Sequence, residues 1–227
     1  MLAPIPMLNK EEVKQTLDKI FELRPFWSLR HPNFFSLGTA LYLDKQDPAS
    51  KLYDSFVQSN NYFLRLHFAM LYDRLLETLK NELKQEVQYE PTLSLPGFHI
   101  FLASQEFVEK GASIHFDLQF KKTSWSHYKE VKDSRPLSFT LALALPRLGG
   151  GLNYWNKTFD IAHPFPIEET AQKLPKYYVP YETGKIVLHE GMLMHQIAPA
   201  KEFFEEDKRI TLQGHALFCD GCWRVYW

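Results

Sequence analysis

The stretch Ser113-Ile114-His115-Phe116-Asp117-Leu118-Gln119-Phe120 alternates residue by residue, and in an extended chain successive side chains leave opposite faces. Residues 113–120 are expected as a strand, with His115 and Asp117 on one face and Ile114, Phe116 and Leu118 on the other. Short runs of the same kind recur from Leu95 onward, in residues 98–103, 137–145, 151–155, 185–194, 210–218 and 222–227, divided by Pro, Gly and charged turns. No helical crossover intervenes, which disfavours a parallel sheet and favours an antiparallel sandwich or barrel. Asp220-Gly221 is a two-residue hairpin signal that sets Cys219 and Cys222 opposite one another. This single Cys-x-x-Cys has no second pair to complete a zinc site and is read as structural.

The residues before Leu95 carry a different period. Asn9 is a good N-cap with Glu11 and Glu12 in the first turn, and Val13, Leu17, Ile20 and Phe21 recur at helical spacing. An amphipathic helix is expected over residues 10–23, ended by Pro25. Residues 36–44 read as a short strand. Residues 51–58 and 62–85 read as one broken helix or two successive ones, with Leu64, Phe68, Leu71, Leu75 and Leu79 as the apolar stripe. Helices followed by consecutive strands give an α+β fold with a jelly-roll core. A single domain is expected over residues 1–227, with mainly helical support in 1–90 and the jelly-roll core in 95–227.

A chain of 227 residues, 45% hydrophobic and 23% charged, can bury a sizeable core and is not a disordered or repeat-built sequence. Twenty-six Lys+Arg against twenty-seven Asp+Glu leave a net charge of -1, so no overall field would hold nucleic acid or an anionic membrane. No apolar run approaches the roughly 20 residues that a bilayer requires. The start, Met1-Leu-Ala-Pro-Ile-Pro, lacks the basic region and cleavage site of a signal peptide. A cytoplasmic protein without membrane or nucleic-acid partners is expected. The aromatic share of 15% is high and suits pocket walls as well as cores.

His115 and Asp117 bring one imidazole and one carboxylate to a single point. Two histidines and one carboxylate on one side of a ferrous ion leave positions open opposite them, as in non-haem oxygenases. A third ligand is suggested by Gly184-Lys-Ile-Val-Leu-His-Glu-Gly-Met-Leu-Met-His195-Gln-Ile-Ala-Pro199, where a buried strand, a turn at Glu190-Gly191 and a second short run present His195. His189 competes with it, but lies before the turn and has no arginine at a comparable offset. Downstream, Lys208-Arg209-Ile210-Thr211-Leu212 places Arg209 and Thr211 on one face, a guanidinium fork and a hydroxyl suited to one carboxylate.

With these elements the sequence resembles the iron(II)- and 2-oxoglutarate-dependent dioxygenases that have a double-stranded β-helix core. The matching elements are His115-x-Asp117, the distal His195 and Arg209-x-Thr211. Arg135-Pro-Leu-Ser-Phe-Thr140 followed by Gly149-Gly-Gly-Leu-Asn-Tyr-Trp155 looks like the prolyl-hydroxylase-like branch. The resemblance covers roughly residues 97–218. It implies Fe(II) held by His115, Asp117 and His195, and 2-oxoglutarate held by Arg209 with Thr211 assisting. It also implies O2 as the oxidant, succinate and CO2 as products, and hydroxylation of a small molecule or a peptidyl side chain. The carboxylate at Asp117 points away from halogenation, toward hydroxylation or a related oxidation such as desaturation. His99, Gln213 and Trp155 are the candidate substrate contacts. The competing readings are a cupin-like metal enzyme that does not use 2-oxoglutarate and a non-catalytic jelly-roll binding module.

Overall fold

The computed structural model describes residues 2–45, 52–109 and 111–227. Strand β1 (Ile5–Pro6) leads into helix α1 (Lys10–Glu22), a 3-10 turn (Arg24–Phe26), β2 (Ser28–His31), β3 (Phe34–Leu37), α2 (Leu41–Asp44) and the long helix α3 (Leu52–Leu83). There follow β4 (Glu86–Tyr89), β5 (Gly97–Leu102), α4 (Gln105–Glu109), a 3-10 turn (Gln119–Lys122), β6 (Val131–Ala144), β7 (Leu152–Thr158) and α5 (Ile167–Lys173). The remaining elements are β8 (Lys176–Val179), β9 (Lys185–Glu190), β10 (Leu193–Ile197), β11 (Lys208–Cys219) and β12 (Cys222–Tyr226).

Local chemistry explains the helical part. The first helix opens with a capping box, in which Asn9 Oδ1 accepts from Glu12 N at 2.9 Å and Glu12 Oε2 accepts from Asn9 N at 2.8 Å. The expected broken helix is one helix with a kink at Phe68, whose φ of -132° is not helical; Lys51 lies outside the described residues. The strand expected at 36–44 is corrected. The chain leaves β3 at Gly38, where φ is +113°, and Asp44 then accepts from Ala40 N at 2.7 Å to start the short helix α2. The glycine breaks the extended run that side-chain alternation suggested.

The strands form two sheets. The larger has the order β1-β9-β6-β11-β5-β3-β2, with β12 paired to β11 and β4 paired to β12; the smaller is β10-β7-β8. All pairs are antiparallel except β4 with β12. Residues 222–227 are therefore no open edge, because β4 covers β12 on its outer side. Asp220 and Gly221, at φ +47° and +77°, make the hairpin turn, and Cys219 pairs with Cys222 across it as expected.

Alternation in the large sheet decides what lies inside. Phe98 and Ile100 of β5, Leu137, Phe139 and Leu141 of β6, Leu188 of β9, and Ile210 and Leu212 of β11 join Ile20 of α1 and Leu64, Phe68, Leu71, Leu75 and Leu79 of α3 in one buried core. The residues between them on these strands, including His99, Ser138, Thr140, His189, Arg209, Thr211 and His215, therefore face the opposite side. That side holds the site. No helix among the described residues is long and apolar enough to cross a membrane.

One close approach locks the sheet against the fully buried Trp227. A Cβ built on Gly97 would lie 2.0 Å from the Trp227 ring. Gly97→Ala is expected to cost about 3 kcal/mol, because the ring has nowhere to move in a packed core. The melting temperature should fall by about 10 °C; an unchanged value in a thermal melt would show that the ring is free to shift.

Candidate metal centre

His115 is not on a regular strand. Of the stretch 113–120 only His115 makes a strand-like bridge, and residues from Gln119 onward turn into a 3-10 helix. This corrects the expected strand but not its consequence. His115 and His195 exchange both backbone hydrogen bonds, at 2.9 and 3.0 Å, and Asp117 N donates to Gly191 O at 2.7 Å. The extended segment is thus docked on β10 and on the turn before it, and the alternation of His115 and Asp117 survives.

The ligand atoms of His115, Asp117 and His195 all lie within 4.8 Å of one another. His195 Nε2 is 3.4 Å from Asp117 Oδ2, and His115 Nε2 is 3.7 Å from Asp117 Oδ1. Each histidine ties its other nitrogen to its own backbone two residues earlier: His115 Nδ1 to Ser113 O and His195 Nδ1 to Leu193 O, both at 2.8 Å. A carbonyl only accepts, so Nδ1 carries the proton and the Nε2 lone pairs face the carboxylate. Gln119 Nε2 donates to Asp117 Oδ1 at 3.0 Å and orients it. The donor set fits a divalent transition metal, with two imidazole nitrogens and a carboxylate oxygen on one side.

Electrostatics agree with that geometry. Burial works to raise the Asp117 carboxyl, but His195, His215 and His115 outweigh it and hold the carboxyl well below its usual range. Burial works to lower His195, and Asp117 overrides it, so this imidazole is raised. His115 and His215 are lowered, chiefly by burial. Burial also takes His189 and His99 down to about 3, so both are neutral.

The cluster opens on a cavity of about 460 Å³. Its lining includes Phe34, Tyr42, His99, Phe101, Phe116 and Lys122, together with Ser138, Thr140, Tyr181, His189, Gln213 and His215. The strand register explains one row: His189 of β9, Ser138 of β6 and His215 of β11 are cross-strand partners. In the sequence His189 stands only as a rival ligand, and nothing marks Tyr42 or Tyr181 as cavity residues. In the structure His189 Nδ1 bonds to Glu190 O at 3.0 Å and its ring centre is 4.5 Å from that of His195. The signal that would have found the row is the shared parity of His189, Ser138 and His215, and it needs the strand order to be read.

Arg209 and Thr211 are both fully buried. The guanidinium lies 6.0 Å from the Phe101 ring and 5.7 Å from the Tyr181 ring, and both rings line the cavity. Its Nε donates to Gly150 O at 2.9 Å and its Nη1 to Thr211 Oγ1 at 3.4 Å, while Nη2 is buried without a partner. Burial lowers Arg209 to about 10, so it stays charged at neutral pH. A buried, charged fork with an unused donor fits a carboxylate.

Of the three expected substrate contacts, His99 and Gln213 line the cavity and Trp155 does not. Trp155 is buried against Ala171 and Met194, with its indole nitrogen donating to Ala171 O at 3.0 Å. Tyr154 pairs with His195, and Trp155 pairs with Met194. Leu152, two residues before Tyr154, faces the cavity, so the parity of β7 turns Trp155 outward.

No family model matches the chain, and no curated protein matches it in sequence. Solved structures do. A novel N-substituted L-amino acid dioxygenase from Burkholderia ambifaria AMMD matches at 12% identity and TM-score 0.62, covering 98% of this chain and 84% of that one. It has also been solved in complex with alpha-ketoglutarate. The non-heme alpha ketoglutarate dependent epimerase SnoN from nogalamycin biosynthesis matches at 12% identity and TM-score 0.55, covering 93% and 75%. An oxidoreductase of the 2OG-Fe(II) oxygenase family from Burkholderia pseudomallei matches at 11% identity and TM-score 0.51, covering 91% and 78%. These likenesses establish the fold as the double-stranded β-helix expected from the sequence.

Proposed function

We propose that the protein is an Fe(II)- and 2-oxoglutarate-dependent oxygenase that oxidises a small molecule or a peptidyl side chain. The observation that carries this reading is the convergence of two Nε2 lone pairs and one depressed carboxylate on a cavity whose lining rings Phe101 and Tyr181 pack against a buried, partly unpaired arginine. The fold neighbours whose names include alpha ketoglutarate support it. We read the helices and the β core as one domain, because α1 and α3 share their apolar core with the large sheet. A cytoplasmic location is kept with this reading; the facing Cys219 and Cys222 are both free, as in a reducing compartment.

His115, Asp117 and His195 would hold the iron, with Gln119 fixing the carboxylate. Arg209 would receive the distal carboxylate of 2-oxoglutarate on its unused donor, with Thr211 setting the guanidinium plane. When bound, iron and co-substrate would supply the oxidising chemistry: 2-oxoglutarate loses CO2 and takes one oxygen atom of O2 to become succinate, and the other oxygen atom goes to the substrate. The chain's share is positioning and shielding. The ligands sit on backbone that is hydrogen-bonded to itself, and Phe34, Phe101 and Phe116 give the cavity an apolar wall.

The test is anaerobic addition of ferrous iron and 2-oxoglutarate to the purified protein. A visible charge-transfer band of the chelate is expected. Iron binding without the band would favour the cupin-like reading, and binding of neither would favour the non-catalytic one.

A further inference from the structure

The cavity has a one-sided charge inventory. Among its described lining residues the only carboxylate is Asp117, which the proposed function commits to the metal, and the only lysine or arginine is Lys122. Lys122 closes the 3-10 turn that follows Asp117, and its ammonium donates to Tyr42 O at 3.3 Å. An ammonium has three donors, so this bond leaves others free, and among the described residues Lys122 forms no ion pair. The bond to α2 fixes where the charge stands.

The rest of the wall is aromatic or neutral. Phe34, Phe101 and Phe116 offer apolar faces, and Gln213 and Tyr42 offer uncharged polar groups. Tyr42 is already engaged, with its hydroxyl 2.5 Å from His99 Nε2. On the proposed function, a ferrous ion, Asp117, the dianionic co-substrate and Arg209 cancel in charge. Lys122 is then the uncompensated charge of the cavity, and no carboxylate is left to receive a cationic amine. A buried or half-buried charge without a partner is costly, and an anionic ligand removes that cost.

We propose that the substrate is a small acid with an apolar, partly aromatic body, whose carboxylate or equivalent anionic group is seated on Lys122 at the α2 side of the cavity. This rests on the reading of the site as an iron- and 2-oxoglutarate-dependent oxygenase and adds the substrate class to it. Lys122 is distinct from Arg209, so acid and co-substrate occupy the cavity together.

The test uses the protein loaded anaerobically with ferrous iron and saturating 2-oxoglutarate. It is titrated with 3-phenylpropionate, 3-phenylpropionamide and 3-phenylpropylamine, followed by calorimetry and by perturbation of the chelate band. The acid is expected to bind at least tenfold more tightly than the amide, with the amine weakest. Lys122→Met should bring the acid to the level of the amide without changing 2-oxoglutarate affinity, and Lys122→Arg should keep the preference. The proposal is overturned if the series shows no preference for the acid, if Lys122→Met retains the preference, or if excess 2-oxoglutarate displaces the acid. Absence of the chelate band would sink the oxygenase reading separately. In that case the same acid and amide titrations of the metal-free protein, wild type against Lys122→Met, still decide the role of Lys122.

Discussion

Arg209→Met is expected to lower 2-oxoglutarate affinity at least a hundredfold while leaving the melting temperature of the metal-free protein unchanged or higher. The two effects have opposite causes. In the ligand-free fold Arg209 is a charge in an almost dry place, 1% exposed, against the rings of Phe101 and Tyr181 and with one donor unpaired. Its desolvation is offset only in part by Gly150 O and Thr211. An apolar residue of similar length suits those neighbours as well or better. With 2-oxoglutarate present the sign reverses, because a charge-assisted contact in a low-dielectric place is lost. Saturating 2-oxoglutarate at a hundred times its dissociation constant should stabilise the wild-type holoprotein by about 2.7 kcal/mol. The corresponding rise in melting temperature is about 8 °C, and the variant should show about 1 °C or less. Thermal melts with and without the co-substrate check this. Unchanged affinity in the variant would remove 2-oxoglutarate from the proposed function.

His195→Ala is expected to abolish ferrous binding, by more than about a hundredfold, whereas His189→Ala keeps it within tenfold. Loss of a hydrogen-bonded neighbour of a ligand costs 10–100-fold in metal affinity, and loss of a ligand itself costs more. The two rings are only 4.5 Å apart, so proximity alone does not separate them. Their contacts with Asp117 do: His195 Nε2 stands 3.4 Å from the carboxylate and converges with His115, while His189 is outside that triad. Metal titration followed by calorimetry would decide it, and the reverse result would exchange the two residues in the site.

The part of this architecture that was legible in the sequence is the part that depends on backbone alternation. His115 and Asp117 share a side because the segment is extended, although it forms no ladder beyond one bridge. Arg209, Thr211 and Gln213 share a face for the same reason, and the helical stripe of Leu64 to Leu79 is buried throughout. What alternation does not contain is register between strands. Trp155 is a candidate substrate contact in the sequence, yet it pairs with Met194, the neighbour of His195, and its ring lies outside the cavity lining. Tyr181 and Tyr42 reach the cavity from segments distant in sequence, and no periodic signal marks either. The strand expected at 36–44 failed at a single backbone angle, the positive φ of Gly38, which a side-chain pattern does not reveal.

The position of β11 in the large sheet has a consequence for the order of folding. It lies between β6 and β5, with Thr211 facing Ala142 on one side and His99 on the other, the latter roughly a hundred residues earlier. Until residues 208–219 have been synthesised and have slotted in, β5 and β6 have no partner between them, and the wall that carries His99, Ser138 and Thr140 is not closed. Closing so long a loop is paid in chain entropy before any contact rewards it. Refolding should therefore be slow, on a timescale of milliseconds to seconds or longer. A ribosome stalled before residue 208 should hold a chain in which β5 and β6 are not yet joined.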